Sequence, residues 1–141
     1  MRLEITRKAD LATRALLELV DVGRRSKSSE LAERLGTTPG FLSQVVAPLA
    51  AKGWVRSDPG PSGGYVATVA LDEVSVLDVI EAVEGPTDTG RCVLQARTCS
   101  GDGPCALHGA WSHARSQLLA ELDGMALSAL QTTGIHHDNV R

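Results

Sequence analysis

Aromatic side chains are almost missing from this chain, with one Phe, one Tyr and two Trp in 141 residues. A core must therefore be built from Leu, Val and Ala, which is typical of packed helices, and a mainly α fold is expected. No run is apolar and long enough to span a membrane. No apolar leader with a small-residue cleavage site follows Met1, so a cytoplasmic protein is expected. Cysteine is also scarce: Cys92, Cys99 and Cys105 are the only three, and an odd number in a reducing compartment argues against a disulfide framework and for metal binding or redox chemistry. Nor is there an excess of positive charge. The formal net charge of −3 argues against a generic polyanion binder, but it is unevenly spread. Residues 1–58 hold ten Lys/Arg against seven Asp/Glu, and residues 59–141 hold four against ten. Any nucleic-acid surface belongs to the N-terminal half.

The apolar residues Leu11, Ala12, Ala15, Leu16, Leu19 and Val20 recur at helical spacing and predict a first helix over about Lys8 to Val22. Asp10 falls on its opposite face, with Arg14, Leu17 and Asp21, available to something beyond this helix's own core. Ser28 is a plausible N-cap for a short second helix carrying Leu31, Ala32 and Leu35 and ending at Gly36. Thr38 caps a third, with Pro39 at its first position, where proline loses no needed hydrogen bond. Leu42, Val45, Val46 and Leu49 form its buried stripe, and Gly40, Ser43, Gln44, Ala47 and Ala51 face outward. A short helix, a tight turn and a helix with a small polar outer face make a helix-turn-helix. Residues 54–57 and 65–69 read as two strands joined by a turn over 58–64, the wing of a winged helix. Ser75 caps a fourth helix through Val83.

The cysteine-rich loop follows, over residues 84–104. Six residues separate Cys92 from Cys99 and five separate Cys99 from Cys105, gaps wider than the tight pairs of structural zinc sites and long enough to wrap a larger inorganic core. His108 lies three residues beyond the last thiol. Cys105 and His108 could be a nucleophile and its base, but nothing supplies an orienting third group or an oxyanion hole, so no enzyme is expected. A last helix over about Cys105 to Asp123 carries Leu107, Trp111, Ala114, Leu118 and Leu122 on one stripe, a seam that wants a partner helix. The tail from Gln131, with His136 and His137, is polar and is expected to be frayed.

The opening Met1-Arg2-Leu3, the Ala9-Asp10-Leu11-Ala12-Thr13-Arg14-Ala15-Leu16 segment, the Gly63-Gly64-Tyr65 wing, the Ser75-Val76-Leu77-Asp78-Val79-Ile80 helix and the three-cysteine loop together resemble the Rrf-two family of bacterial winged-helix repressors. The resemblance covers about residues 1–130. It implies a homodimer that binds a double-stranded DNA operator and holds an iron–sulfur cluster through Cys92, Cys99 and Cys105. Two branches of the family differ in the fourth ligand. Cys105-Ala106-Leu107-His108 looks like the branch in which the histidine completes a two-iron, two-sulfur site. Asp10 with Leu11-Ala12 and Arg14, and the Cys99-Ser100-Gly101-Asp102-Gly103-Pro104-Cys105 loop, look like the nitric-oxide-sensing branch, in which the aspartate reaches across the dimer to a four-iron, four-sulfur cluster. The second is favoured. Two departures stand out: Asp58-Pro59-Gly60-Pro61-Ser62 precedes the wing glycines where the family commonly has a basic residue, and the first cysteine gap is six rather than five.

The expectation is a mainly α protein with a small β-hairpin wing: a winged helix-turn-helix over 1–83, a cluster loop over 84–104, a dimerisation helix over 105–130 and a tail over 131–141. Thr38, Gly40, Ser43, Gln44, Lys52, Arg56, Gly63, Gly64 and Tyr65 form the expected DNA surface, and Cys92, Cys99, Cys105, Asp10 and His108 the candidate ligands. The rival from another class is a zinc-stabilised structural or protein-interaction module.

Overall fold

A computed structural model describes residues 1–94 and 105–133 of the chain. Cys99, the rest of the stretch leading to Cys105, and the expected tail with His136 and His137 lie outside these residues.

Helix α1 (Arg7–Val22) starts where the Thr6 hydroxyl accepts the Ala9 amide at 3.1 Å, and stops at Gly23, which takes the left-handed conformation at φ 68°. Helix α2 (Ser28–Leu35) begins at the residue expected to cap it. Lys27 holds the cap position without a side-chain bond, and Ser28 is already helical. The cause is tertiary: Ser26 exchanges two backbone hydrogen bonds with Tyr65, at 2.9 and 2.8 Å, which fixes extended chain ahead of Lys27. The Lys27 carbonyl then takes the Leu31 amide at 2.9 Å. Helix α3 (Pro39–Ala51) is capped by Thr38, whose hydroxyl accepts the Phe41 amide at 3.2 Å.

Strands β1 (Val55–Asp58) and β2 (Gly64–Ala67) form an antiparallel hairpin in which Val55 faces Ala67 and Asp58 faces Gly64. Helix α4 (Val76–Glu84) opens on a reciprocal cap: the Asp78 amide donates to the Ser75 hydroxyl at 3.0 Å, and the Ser75 amide donates to the Asp78 carboxylate at 2.8 Å. Helices α1, α3 and α4 enclose the core with Leu16, Leu19, Leu31, Leu42, Leu49 and Val79 fully buried. Each such side chain contributes about 1.5–3 kcal/mol by leaving water.

Two features of the C-terminal region differ from expectation. Helix α5 (His108–Asp123) starts three residues after Cys105, because residues 105–107 form a turn closed by the His108 amide on the Cys105 carbonyl at 3.0 Å. After α5 the chain returns to the winged domain. The Val76 amide donates to the Met125 carbonyl and the Leu127 amide to the Val74 carbonyl, both at 2.9 Å, and Leu127 is completely buried in the same core as α1 and α3. A short helix α6 (Ser128–Thr133) follows. The winged domain is thus closed by residues from beyond the expected boundary at 83.

Candidate functional site

The helix-turn-helix presents its outer face as the alternation of α3 dictates. Leu42, Val45, Val46 and Leu49 are buried, whereas Gly40, Ser43, Gln44 and Ala47 are exposed on the other side. Gly36, left-handed at φ 69°, and the Thr37 amide, bonded to the Ala32 carbonyl at 2.9 Å, set the turn between α2 and α3. Thr38 is exposed, with its hydroxyl oxygen accepting at the helix cap, so its O–H remains a donor for a phosphate. Lys52 lies exposed at the end of α3, and Arg56 projects from β1 with its guanidinium 3.5 Å from Asp58.

The three remaining expected DNA residues have a different place. Tyr65 is 8% exposed and belongs to the core, and its backbone carries the pairing to Ser26. A Cβ on Gly63 would stand 2.0 Å from the Asp58 carbonyl oxygen, and one on Gly64 2.2 Å from that of Ser26. Gly63 and Gly64 therefore permit the hairpin to close on itself and on the α1–α2 connection. These residues shape the wing from within rather than offering side chains to a ligand.

The cysteine loop leaves α4 and joins α5, and its first part is tied to both. The Thr87 amide donates to the Glu81 carboxylate at 3.0 Å. Asp88 accepts the Gly90 amide at 3.0 Å and pairs with Arg115 of α5 at 3.1 Å. Beyond this anchor Arg91, Cys92, Cys105, His108, Trp111 and Arg115 line one shallow, open cleft. Cys92 and Cys105 are half-buried there, and the Leu94 amide donates to the Cys92 sulfur at 3.4 Å. No three Cys, His, Asp or Glu side chains converge at metal-binding distance among the described residues, which do not include Cys99.

The two candidate fourth ligands separate clearly. His108 lines the cleft as the first residue of α5. Asp10 does not line this cleft of its own chain, and one of its carboxylate oxygens takes both the Nε and Nη2 groups of Arg14, at 3.1 and 2.9 Å, one turn along the same helix. Sequence reasoning missed Arg91 and Arg115 on the cleft wall and Arg25, which pairs with Asp58 at the wing. The partners of Arg25 and Arg115 lie in distant segments, so no local pattern marks their roles.

Comparison with known proteins bears on this arrangement. The Rrf2 family model, described as iron-dependent transcriptional regulator, matches residues 5–133. The HTH-type transcriptional regulator IscR of Photorhabdus laumondii is 31% identical over 134 residues, covering 91% of this chain and 79% of the relative. An rrf2-like HTH-type transcriptional regulator of Rhodobacter capsulatus is 29% identical over 140 residues, covering 92% and 93%. The structure of CymR, the global cysteine regulator of B. subtilis, superposes with a TM-score of 0.75 at 25% identity, covering 94% of this chain and 98% of that one. A helix-turn-helix with an exposed polar face, a hairpin wing and a match running from α1 into α6 leave one assignment: the chain belongs to the Rrf2 family of DNA-binding transcriptional regulators, which are not enzymes.

Proposed function

We propose that this protein is a homodimeric repressor whose operator affinity follows the state of an iron–sulfur cluster held by Cys92, Cys99 and Cys105, and so responds to redox conditions, nitric oxide or cluster supply. The observation that carries the reading is the convergence of Cys92, Cys105 and His108 on one cleft whose walls belong to α5 and the end of the α4 connection. Soft thiolates with an imidazole suit cluster iron. When bound, the cluster supplies iron that reacts with oxygen or nitric oxide. The chain's part is geometric. The Asp88–Arg115 pair ties the loop to α5, so closure of Cys92 on Cys105 fixes α5 against the domain that carries the recognition helix.

The geometry favours His108 over Asp10 as fourth ligand, the reverse of the weighting from sequence motifs. Asp10 of a partner subunit would offer the cluster a carboxylate with one oxygen already paired to Arg14. Protein purified without oxygen should be brown, contain iron and sulfide, and show an altered visible spectrum in His108→Ala but not in Asp10→Ala. The opposite pattern would assign the ligand to Asp10 and support a four-iron, four-sulfur centre. A colourless protein containing zinc would favour a zinc-stabilised module instead.

On DNA, Ser43 and Gln44 are the proposed base-reading residues, with Thr38, Gly40, Lys52 and Arg56 against the backbone; Gly63, Gly64 and Tyr65 set the wing's position. A dimer would read a pseudo-palindrome with half-sites one helical turn, roughly 34 Å, apart or a multiple of it. The exposed Leu107 and Leu118 of α5 are the proposed apolar contacts of the dimer seam.

A further inference from the structure

The wing holds an acidic residue, Asp58, at its first strand end, and two arginines converge on it. Arg25 Nη2 stands 2.7 Å from one carboxylate oxygen, and Arg56 Nε stands 3.5 Å from the other. Arg25 comes from the connection between α1 and α2, thirty-three positions earlier in sequence, and its Nη1 also donates to the Ser62 carbonyl in the wing turn at 3.2 Å. The backbone pairing of Ser26 with Tyr65 brings that connection against the hairpin. Exposed Arg24 and Lys27 lie on either side of the Arg25-Ser26 pair. The wing flank is therefore a cationic surface assembled from two segments: Arg25 and Arg56 meet on one carboxylate, and exposed Arg24 and Lys27 neighbour Arg25 in sequence.

This arrangement is built to hold a guanidinium outward. Arg25 is 46% exposed, so the pair with Asp58 adds little stability in water. It does hold the guanidinium in one place, so less side-chain freedom remains to be lost when a ligand binds. A guanidinium has five N–H donors in a rigid fork, and two of them serve Asp58 and Ser62, which leaves donors for a phosphate oxygen. We propose that Arg25 is a phosphodiester-binding residue of the DNA surface, carried to the wing by the α1–α2 connection, and that Asp58 is a positioning residue that aims it. The ligand is the backbone of double-stranded DNA, read without regard to sequence. This inference rests on the helix-turn-helix face and wing being the DNA surface.

The test uses the full-length wild-type protein and a duplex it selects from a random-sequence pool, with binding measured across a salt series. Arg25→Ala should lower affinity roughly tenfold for every sequence and reduce the salt slope by about one, with unchanged thermal unfolding. In an Asp58→Asn background the same substitution should lose less than half as much affinity, because the guanidinium is no longer aimed. Gln44→Ala, measured in parallel, reports on the surface itself. If Gln44→Ala changes sequence preference while Arg25→Ala leaves affinity and slope unchanged, Arg25 does not touch phosphate and the proposal falls alone. If neither changes anything, the surface assignment fails and takes the proposal with it. If the Arg25 and Asp58 effects simply add, Arg25 binds phosphate without Asp58 aiming it, and the positioning role is overturned.

Discussion

The winged domain and helix α5 are built from similar residue types, yet they stand at opposite ends of burial. Helix α1 is 16 residues long and hides seven of them, whereas α5, also 16 residues, hides none. Leu118 on α5 is 44% exposed and Leu107, just before it, is 42% exposed, while Leu16, Leu19 and Leu49 are fully buried. No residue of α5 is fully buried, and its ties to the rest of the chain include its packing on α4, the partly buried Leu122, the Asp88–Arg115 pair and the Ser75 hydroxyl donating to the Asp123 carboxylate at 3.4 Å. The contrast separates two energetic tasks: the first region is folded by its own core, and the second is held ready for contacts outside that core.

The sharpest way to break the contrast is at the residue that crosses it. Leu127→Ala should cost about 2–5 kcal/mol of unfolding free energy in urea titration, although it lies past the end of α5, because it opens a cavity in the core of the winged domain. A cost under about 0.5 kcal/mol would mean that the C-terminal segment is not part of that core. Gly64→Ala tests the wing's attachment: its Cβ meets the Ser26 carbonyl at 2.2 Å on a backbone at φ 143°, so a loss of roughly 1–3 kcal/mol and weaker DNA binding are expected. Asp78→Ala removes half of the reciprocal cap of α4 and should lower stability by about 1 kcal/mol, read from the thermal midpoint. The smallest effect on folding belongs to Leu118→Glu. At this exposed position the change in protomer stability should stay within about 0.5 kcal/mol, while sedimentation should show a monomer in place of the proposed dimer, with operator binding lost. A variant that still sediments as a dimer would move the seam elsewhere.

Much of the winged domain was legible because its signals are local. The Leu42, Val45, Val46, Leu49 stripe, the Thr38 and Ser75 caps and the left-handed Gly36 each arise within one or two turns of chain, and each stands where the pattern places it. The hairpin was legible for the same reason, with its strand ends displaced by one or two residues. Helix α2 began early because its first residues answer to Tyr65, nearly forty positions away. Helix α6 and the buried Leu127 were not legible: a lone Leu between Ala126 and Ser128 has no periodic pattern, and only the bridge to residues 74–76 gives it a place.

The candidate site divides in the same way. Cysteine count and spacing, the uneven charge and the polar face of α3 were determined by sequence, since they depend on residue identity and on one helical period. The meeting of Cys92 with Cys105 and His108 on one cleft was decided by the fold, in which Thr87 and Asp88 are anchored to α4 and α5. The same holds for Arg25, which reaches the wing through a backbone bridge, whereas the Asp10–Arg14 pair lies within one helix, four residues apart. Helical faces follow from the 3.6-residue repeat and can be read from a single segment, whereas the partner of a charged side chain is selected among all groups that packing brings within a few ångströms, and that choice exists only once the chain has folded.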